Sequence, residues 1–173
     1  MTDLASPPFF RFELDFAESL RCIPMSVRRK LDLCAIKLTL KQWSRFLPQE
    51  REDLLDLPCE TAPEREAYRA RLLALIALRS DEPPRLLLKD EQALWRETDS
   101  VPNCVLDQAA TDRVTPPDAA AWRSLSELQR FALVKLARSQ HENENFVPAL
   151  IEFGLLDARA ASPDRETRRH EDR

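Results

Sequence analysis

Apolar residues in the first half of the chain recur at helical spacing, and each such stretch follows a proline or a capping residue. Pro24, Thr39 and Pro48 each suit the start of a helix. The clearest start is the capping box Thr61-Ala62-Pro63-Glu64, after which the helical pattern continues to about Arg79. The apolar positions of the four predicted helices are Val27, Leu31 and Cys34; Leu40, Trp43, Phe46 and Leu47; Leu54, Leu55 and Leu57; and Tyr68, Leu72, Leu75 and Ile76.

The second half carries signals of the same kind. Pro116-Pro117-Asp118 opens a helical stretch through Trp122, and Ser124-Leu125-Ser126-Glu127 matches a capping box. The helix after this box has apolar residues around more than half of its circumference, so we expect it to lie centrally in the core. A last helix, from about Asn145 to Phe153, ends at Gly154, which suits the left-handed residue of a C-cap.

Residues 10–16 depart from this pattern, because apolar and polar side chains alternate there with period two. Alternation of this kind predicts a half-buried strand, although an extended or helical segment remains an alternative. A strand needs a partner, and residues 85–88 are the only other strand candidate. The predicted fold class is therefore all-α, a compact helical domain with an internal duplication and at most one short N-terminal strand.

The duplication is visible as two stretches that match at an offset of 78 to 79 residues. The matched sets are Ile23, Pro24, Val27, Trp43, Phe46 and Arg51 in the first stretch, and Val101, Pro102, Val105, Trp122, Leu125 and Arg130 in the second. We interpret them as a repeated helical unit in which a tryptophan packs against the start of the next helix. Each half alone leaves an apolar face exposed, so we predict one domain over residues 9–156, with halves at about 23–80 and 101–156. Residues 1–8 are expected to be flexible, and the charged tail 157–173 to be disordered.

Composition excludes several classes of function. The formal net charge is −4 and the basic residues are not clustered, so no nucleic-acid surface is expected. No apolar run approaches the roughly 18 residues that span a bilayer, and the first residues lack a signal-peptide pattern. We therefore expect a cytoplasmic protein that does not bind membranes. The single glycine, Gly154, excludes the glycine-rich loops that hold nucleotide phosphates.

The sequence offers no recognisable catalytic group, and we expect neither enzymatic activity nor a bound cofactor. Nucleophilic catalysis of the Ser/His or Cys/His type needs a histidine near the nucleophile, and outside the tail only His141 is available. Cys22, Cys34, Cys59 and His141 could supply a Cys₃His metal site, but no closely spaced cysteine pair supports one. Buried thiols that act as small apolar side chains are the favoured interpretation.

Residues 139–146 are dense in hydrogen-bonding side chains, which suits a polar recognition surface. The alternative is a helix-to-helix connection whose side chains satisfy free backbone groups. We predict that this segment and a second one near Pro24 bind a partner protein. The predicted binding residues are Arg21, Ile23, Pro24, His141, Glu142, Asn143 and Asn145, whereas Trp43, Trp122, Arg51 and Arg130 are expected to be structural.

Several segments together resemble the nitrate reductase-associated protein family, over roughly residues 9–156. The segments are Phe9-Phe10-Arg11-Phe12-Glu13, Ser19-Leu20-Arg21-Cys22-Ile23-Pro24-Met25, residues 30–38 with Trp43, Leu57-Pro58-Cys59, Leu128–Leu136 and Ser139–Phe146. The chain departs from the family pattern at Ala35, where the family has glycine, and between Asn103 and Ala121.

The resemblance implies an accessory role for an assimilatory nitrate reductase, since members tend to be encoded beside genes for the reductase and for molybdenum-cofactor biosynthesis. The expected partner is the reductase itself or a molybdenum-cofactor insertion protein, bound during assembly or maturation. Two alternatives stay open. One is an electron-transfer subunit carrying a metal or an Fe–S cluster on Cys22, Cys34 and Cys59, and the other is a regulatory subunit of the reductase.

Overall fold

The computed structural model describes residues 9–87 and 93–159, and in these ranges the chain is mainly helical, as predicted. Its α-helices are α1 (Leu14–Ala17), α2 (Met25–Leu33), α3 (Leu40–Arg45), α4 (Pro48–Asp56), α5 (Ala62–Arg79), α6 (Asn103–Thr111), α7 (Ala119–Ser124), α8 (Glu127–Arg138) and α9 (Phe146–Glu152). Single 3₁₀ turns span Arg11–Glu13, Leu94–Arg96 and Asn143–Asn145. Two short strands, β1 (Ile36–Lys37) and β2 (Arg85–Leu86), form an antiparallel pair.

Backbone contacts divide the chain between Leu94 and Trp95 into two compact units, which we call unit 1 and unit 2. The prediction that the two halves share one core stays a prediction. The terminal segments predicted to be flexible or disordered, 1–8 and most of 157–173, lie outside the described residues.

Local signals place most helix starts correctly. The Thr39 hydroxyl accepts the Gln42 N–H at 3.1 Å, and the Gln42 side chain in turn accepts the Thr39 N–H at 3.1 Å. The Thr61 box is reciprocal in the same way, with Glu64 accepting the Thr61 N–H at 2.9 Å. Pro48 lies in the first turn of α4, and α5 ends at Arg79 as predicted.

The capping box at the start of α8 was predicted two residues too early. Ser126, not Ser124, caps the helix, and its reciprocal partner is Gln129. Ser124 is the last residue of α7, and its hydroxyl donates to the Ala121 carbonyl at 2.7 Å. Because Leu125 has an extended backbone, the chain leaves one helix before it starts the next.

The predicted N-terminal strand is wrong, because residues 11–17 are helical. The rings of Phe10 and Phe12 stack with centroids 5.4 Å apart, which accounts for their spacing by two. The Glu13 N–H donates to the Phe10 carbonyl at 3.2 Å and closes the 3₁₀ turn, and the Glu13 carboxylate accepts the Phe10 N–H at 3.2 Å. Arg85 and Leu86 do form a strand, but they pair with Lys37 and Ile36, and Leu88 lies outside the described residues.

Each unit has its own buried apolar residues. In unit 1 they include Leu20, Ile23, Val27, Leu31, Cys34, Ile36, Leu38, Trp43, Phe46, Leu54, Cys59, Tyr68, Leu72, Leu75 and Ile76. In unit 2 they include Trp95, Val105, Ala109, Trp122, Leu125, Phe131, Ala132, Leu133, Val134, Leu136, Phe146, Ala149 and Leu150. Helix α8 packs against α6 and α9, and it lies at the centre of unit 2 as predicted.

The two units repeat one series of elements. Helices α2 and α6 each have nine residues and a proline at the N-cap. Each is followed by a residue with left-handed backbone, Ala35 with φ 55° and Arg113 with φ 57°. The six-residue helices α3 and α7 come next, and a single extended pair of residues leads from each into α4 or α8. The offset of 78 to 79 residues seen in the sequence therefore reflects a repeated backbone path.

Candidate functional site

In unit 1, Trp43 and Arg51 join three segments of the backbone. The Trp43 indole N–H donates to the Leu20 carbonyl at 2.7 Å, and its side chain is fully buried. The Arg51 guanidinium donates to the carbonyls of Leu20, Trp43 and Ser44 at 3.1, 3.1 and 2.8 Å. The pair thus ties the segment before α2 to the junction between α3 and α4.

In unit 2, Trp122 and Arg130 make the corresponding connections. The Trp122 indole N–H donates to the Glu97 carbonyl at 2.8 Å. Arg130, which is 7% exposed, donates to the carbonyls of Trp95 and Leu125 at 2.9 and 2.5 Å. These bonds satisfy backbone acceptors inside each unit, and so the four side chains stabilise the fold of their units.

The predicted binding residues near Pro24 are only partly at the surface. Ile23 and Pro24 are buried, and Pro24 serves as the N-cap of α2. Because proline has no capping side chain, Glu13 supplies the acceptor instead, taking the Met25 N–H at 3.1 Å. Arg21 is exposed. Of the three residues predicted for partner binding in unit 1, only Arg21 presents a side chain to solvent.

The polar segment in unit 2 forms a compact turn between α8 and α9. The Ser139 hydroxyl accepts the backbone N–H groups of His141 and Glu142 at 3.3 and 2.9 Å. The Asn145 N–H donates to the Glu142 carbonyl at 3.0 Å and closes the 3₁₀ turn. Fully buried Phe146 follows at the start of α9. The turn is therefore held by its backbone, by Ser139 and by the buried residues that flank it.

The side chains of His141, Asn143 and Asn145 are available for other contacts. His141 is exposed, and Glu142, Asn143 and Asn145 are half-buried. Within the described residues, the side chains of His141, Asn143 and Asn145 make no hydrogen bond or ion pair. These three side chains do not satisfy backbone groups, whereas Ser139 does so, as the alternative interpretation of this segment expected. We define the polar turn as residues 139–145 and take it as the candidate site. Arg21 belongs to unit 1 and the polar turn to unit 2.

The four cysteines differ in their burial and in their contacts. Cys34 and Cys59 are buried with their sulfur atoms 3.8 Å apart, whereas Cys22 and Cys104 are half-buried. Burial raises the pKa of the Cys34 thiol to about 12, and it raises the pKa of Cys59 as well. Across residues 9–87 and 93–159, no three His, Cys, Asp or Glu side chains are grouped as metal ligands would be. His141 belongs to unit 2, whereas Cys22, Cys34 and Cys59, the cysteines considered with it for a metal site, belong to unit 1.

Sequence reasoning missed a groove in unit 1 between α4 and α5. Its volume is about 610 Å³, and it is lined by Asp53, Asp56, Leu57, Pro58, Glu64, Ala67, Tyr68 and Arg71. Arg71 pairs with Asp53 across the groove at 3.3 Å. Leu57 and Pro58, just after α4, were the only sequence signal for it, since two apolar residues there interrupt a charged stretch.

In the described parts of the chain, no helix has both the length and the apolar character needed to cross a bilayer. A family model described as conserved nitrate reductase-associated protein matches residues 9–153. No curated protein and no solved structure matches the chain.

Proposed function

The chain belongs to the conserved nitrate reductase-associated protein family, and from this premise we propose that it is a non-catalytic accessory factor for assimilatory nitrate reductase. It binds the reductase, or the machinery that inserts the molybdenum cofactor, during assembly or maturation in the cytoplasm. The contact surface is the polar turn of unit 2.

One observation carries this assignment to the polar turn. The imidazole of His141 and the carboxamides of Asn143 and Asn145 have no partner within the described residues, although the backbone beneath them is fixed. Carboxamides and a neutral imidazole each offer both donors and acceptors, which suits recognition of polar groups on another protein. A fixed backbone lowers the entropy lost when such groups are bound. The turn is therefore suited to specific binding.

The surroundings of His141 support a non-catalytic role. A histidine that acts as a general base is held by a hydrogen bond to an orienting group and lies beside the group it deprotonates. In the described part of the chain, the His141 side chain has neither contact, and it is exposed.

The first experiment is a pull-down of tagged protein from nitrate-grown cells, comparing the native sequence with the double variant His141→Ala/Asn145→Ala. We expect the native protein to retain the reductase or a cofactor-insertion protein. The amount of this partner retained by the double variant should be lower by at least about tenfold. His170→Ala and Asn103→Ala remove the same chemical groups elsewhere and should bind normally. Retention by the double variant, with an unchanged melting temperature, would contradict the assignment of the turn.

A deletion strain separates maturation from regulation. Under the maturation proposal, the strain contains reductase protein that is inactive and deficient in molybdenum. A reductase that is inactive but fully loaded with molybdenum points to the regulatory alternative. A fully active reductase would rule out both.

The sulfur contact between Cys34 and Cys59 is the observation that favours the electron-transfer alternative. Iron–sulfur clusters are commonly held by four thiolates, and only these two sulfur atoms meet within the described residues. Metal analysis and a visible spectrum of anaerobically purified protein test this alternative directly. A colourless, metal-free preparation that restores reductase activity to the deletion strain would exclude it.

A further inference from the structure

Cys34 and Cys59 come from segments that are separate along the chain but meet inside unit 1. Cys34 is the C-cap of α2, and Cys59 lies in the loop between α4 and α5. Their sulfur atoms are 3.8 Å apart, and the residues are 5% and 1% exposed. A disulfide bond has an S–S length of about 2.05 Å, so the sulfurs approach within reach of side-chain rotation.

The groups around the pair hold both segments in place. The Lys30 ammonium, one turn before the end of α2, donates to the carbonyls of Leu55 and Leu57 at 2.6 and 2.7 Å. The Tyr68 hydroxyl donates to the Leu54 carbonyl at 2.9 Å. These bonds fix the end of α4 against α2 and α5, and Cys59 follows two residues after Leu57. The two thiols therefore meet because the surrounding backbone is anchored, not through an incidental surface approach.

The groove between α4 and α5 reaches this loop. Pro58, the residue directly before Cys59, and Leu57 both line it, as does Tyr68. The centroid of the Tyr68 ring also lies 5.6 Å from the Lys30 ammonium. A small oxidant that enters the groove therefore meets the loop that carries Cys59.

We propose that Cys34 and Cys59 form a reversible thiol–disulfide site, oxidised by small-molecule disulfides to an intramolecular bridge between α2 and the α4–α5 loop. In the first step the Cys59 thiol loses its proton and its sulfur attacks one sulfur of the oxidant. The oxidant's S–S bond breaks, a mixed disulfide forms, and the departing thiolate takes up a proton. In the second step the Cys34 sulfur, also deprotonated, attacks the Cys59 sulfur and releases the second thiol. Two protein thiols are oxidised by two electrons, and one disulfide is reduced to two thiols.

Cys59 is the attacking sulfur in this scheme because of its neighbours. Burial raises the pKa of both thiols, but at Cys59 the hydrogen bond with Cys34 and the Lys30 ammonium act in the opposite direction and favour the thiolate. At Cys34, the neighbouring Cys59 adds to the effect of burial and outweighs the opposing effect of Arg69 and Arg65. Both thiols are protonated at rest, so reaction follows a local opening and is slower than at the half-buried Cys22 and Cys104.

The bridge fixes the loop that lines the groove. It closes a loop between residues that are 25 positions apart, which restricts the unfolded chain. We expect the oxidised protein to melt about 5 °C or more above the reduced protein. The redox state thus sets the rigidity of one wall of the α4–α5 groove.

The test is incubation of the full-length native protein with glutathione disulfide overnight, followed by denaturation, alkylation of remaining thiols and peptide mapping. We expect a linked peptide pair containing Cys34 and Cys59, while Cys22 and Cys104 carry glutathione or remain free. Addition of a dithiol should restore all four thiols. The proposal is overturned if Cys34 and Cys59 stay alkylatable while Cys22 and Cys104 are modified. It is equally overturned if each carries its own glutathione or links to another cysteine.

A variant series supplies a second measurement. Cys22→Ser/Cys104→Ser leaves only the proposed pair and should still show the rise in melting temperature on oxidation. The further change Cys34→Ser should remove that rise and leave Cys59 as a mixed disulfide. If this triple variant fails to fold, the peptide map of the native protein still decides the proposal.

Discussion

The indole N–H of Trp43 donates a 2.7 Å hydrogen bond to the carbonyl of Leu20, a residue whose left-handed backbone has φ 50°. This bond reaches 23 positions back along the chain, and in unit 2 the Trp122 indole reaches back 25 positions to Glu97. Both bonds attach the segment that precedes the repeated helices to the tryptophan of the repeat. The two repeats therefore share the order of their helices and also the indole hydrogen bond that anchors the preceding backbone.

Replacement of the repeat's arginine by lysine should destabilise the protein more in unit 2 than in unit 1. Arg130 is buried and serves two carbonyls, whereas Arg51 is half-buried and serves three, one of them at the surface. A lysine cannot reproduce the planar fork and leaves at least one buried carbonyl unpaired. We expect Arg130→Lys to lower the free energy of unfolding by about 2–3 kcal/mol and Arg51→Lys by about 1–2 kcal/mol. Urea denaturation measures both, with exposed Arg138→Lys as the control.

Glycine at Ala35 should stabilise unit 1. Ala35 has φ 55° and is exposed, so the substitution relieves left-handed strain without removing packing. The strain of an L-residue there is about 1–2 kcal/mol, against which glycine loses more backbone entropy on folding. We expect Ala35→Gly to raise the free energy of unfolding by about 0.5–1 kcal/mol. The control Ala70→Gly, at an exposed position inside α5, should lower it by about 1 kcal/mol. A loss of stability at position 35 would contradict this account.

Helix starts and ends could be predicted because their signals are local. Thr39, Thr61 and Gly154 act within one turn of their own position, through a capping bond or a left-handed φ. The repeat could also be predicted, since the spacing of Trp43 and Arg51 reflects one helix junction. The start of α8 was predicted only two residues too early, because serines occur at both 124 and 126. The extended backbone of Leu125 separates α7 from α8 and makes Ser126 the N-cap.

Features set by distant contacts could not be predicted. Residues 11–17 are helical because Glu13 satisfies the N–H of Phe10 and also that of Met25, 12 positions away. Strand β1 has two residues and exists through its pairing with β2, so it carries no periodicity of its own. Helix α6 was indicated only by the match of Val101, Pro102 and Val105 to the start of α2, since its proline N-cap makes no side-chain bond.

The candidate site was predicted in part. The polar turn could be recognised from its composition, because a short segment rich in imidazole and carboxamide groups is uncommon. The burial of Ile23 and Pro24 depends on packing within unit 1 and has no local signature. The contact of Cys34 with Cys59 likewise depends on how α2 meets the α4–α5 loop.

Removal of the Glu13 carboxylate should be costly, because it is 1% exposed and accepts two backbone N–H groups. We expect Glu13→Ala to lower the free energy of unfolding by about 2–4 kcal/mol, since both donors lose a charged acceptor inside the protein. Glu13→Gln retains one carbonyl oxygen and should lose about half as much. Chemical denaturation of both variants measures this, with exposed Glu18→Ala as the control. Equal losses in the alanine and glutamine variants would show that charge, not hydrogen bonding, matters at this position.

The ion pair between Glu50 and Arg79 should make stability depend on pH. The Glu50 carboxylate accepts hydrogen bonds from the Arg79 guanidinium at 2.9 and 3.2 Å. It also accepts one from the Leu47 N–H at 2.8 Å. Hydrogen bonding to Arg79 holds the pKa of Glu50 below its ordinary value of 4.5, against the opposing effect of burial. A carboxyl group whose pKa is lowered in the folded state binds protons less readily there than in the unfolded chain. Its contribution is therefore complete above the unfolded pKa and is lost as the pH falls through the folded value.

Glu50→Gln removes this contribution. At pH 7 we expect a loss of about 1–2 kcal/mol, because the Glu50 side chain is 11% exposed but the Arg79 side chain is 32% exposed and partly screened. The difference between the native protein and Glu50→Gln should stay constant from pH 7 to about pH 5.5 and shrink below about pH 4.5, where the unfolded carboxyl begins to bind its proton. Urea denaturation at a series of pH values measures it, with exposed Glu66→Gln as the matched control on α5. A difference that stays constant down to pH 3 would mean that the Glu50 side chain stabilises the α4–α5 contact through its shape and the Leu47 bond, and not through its charge.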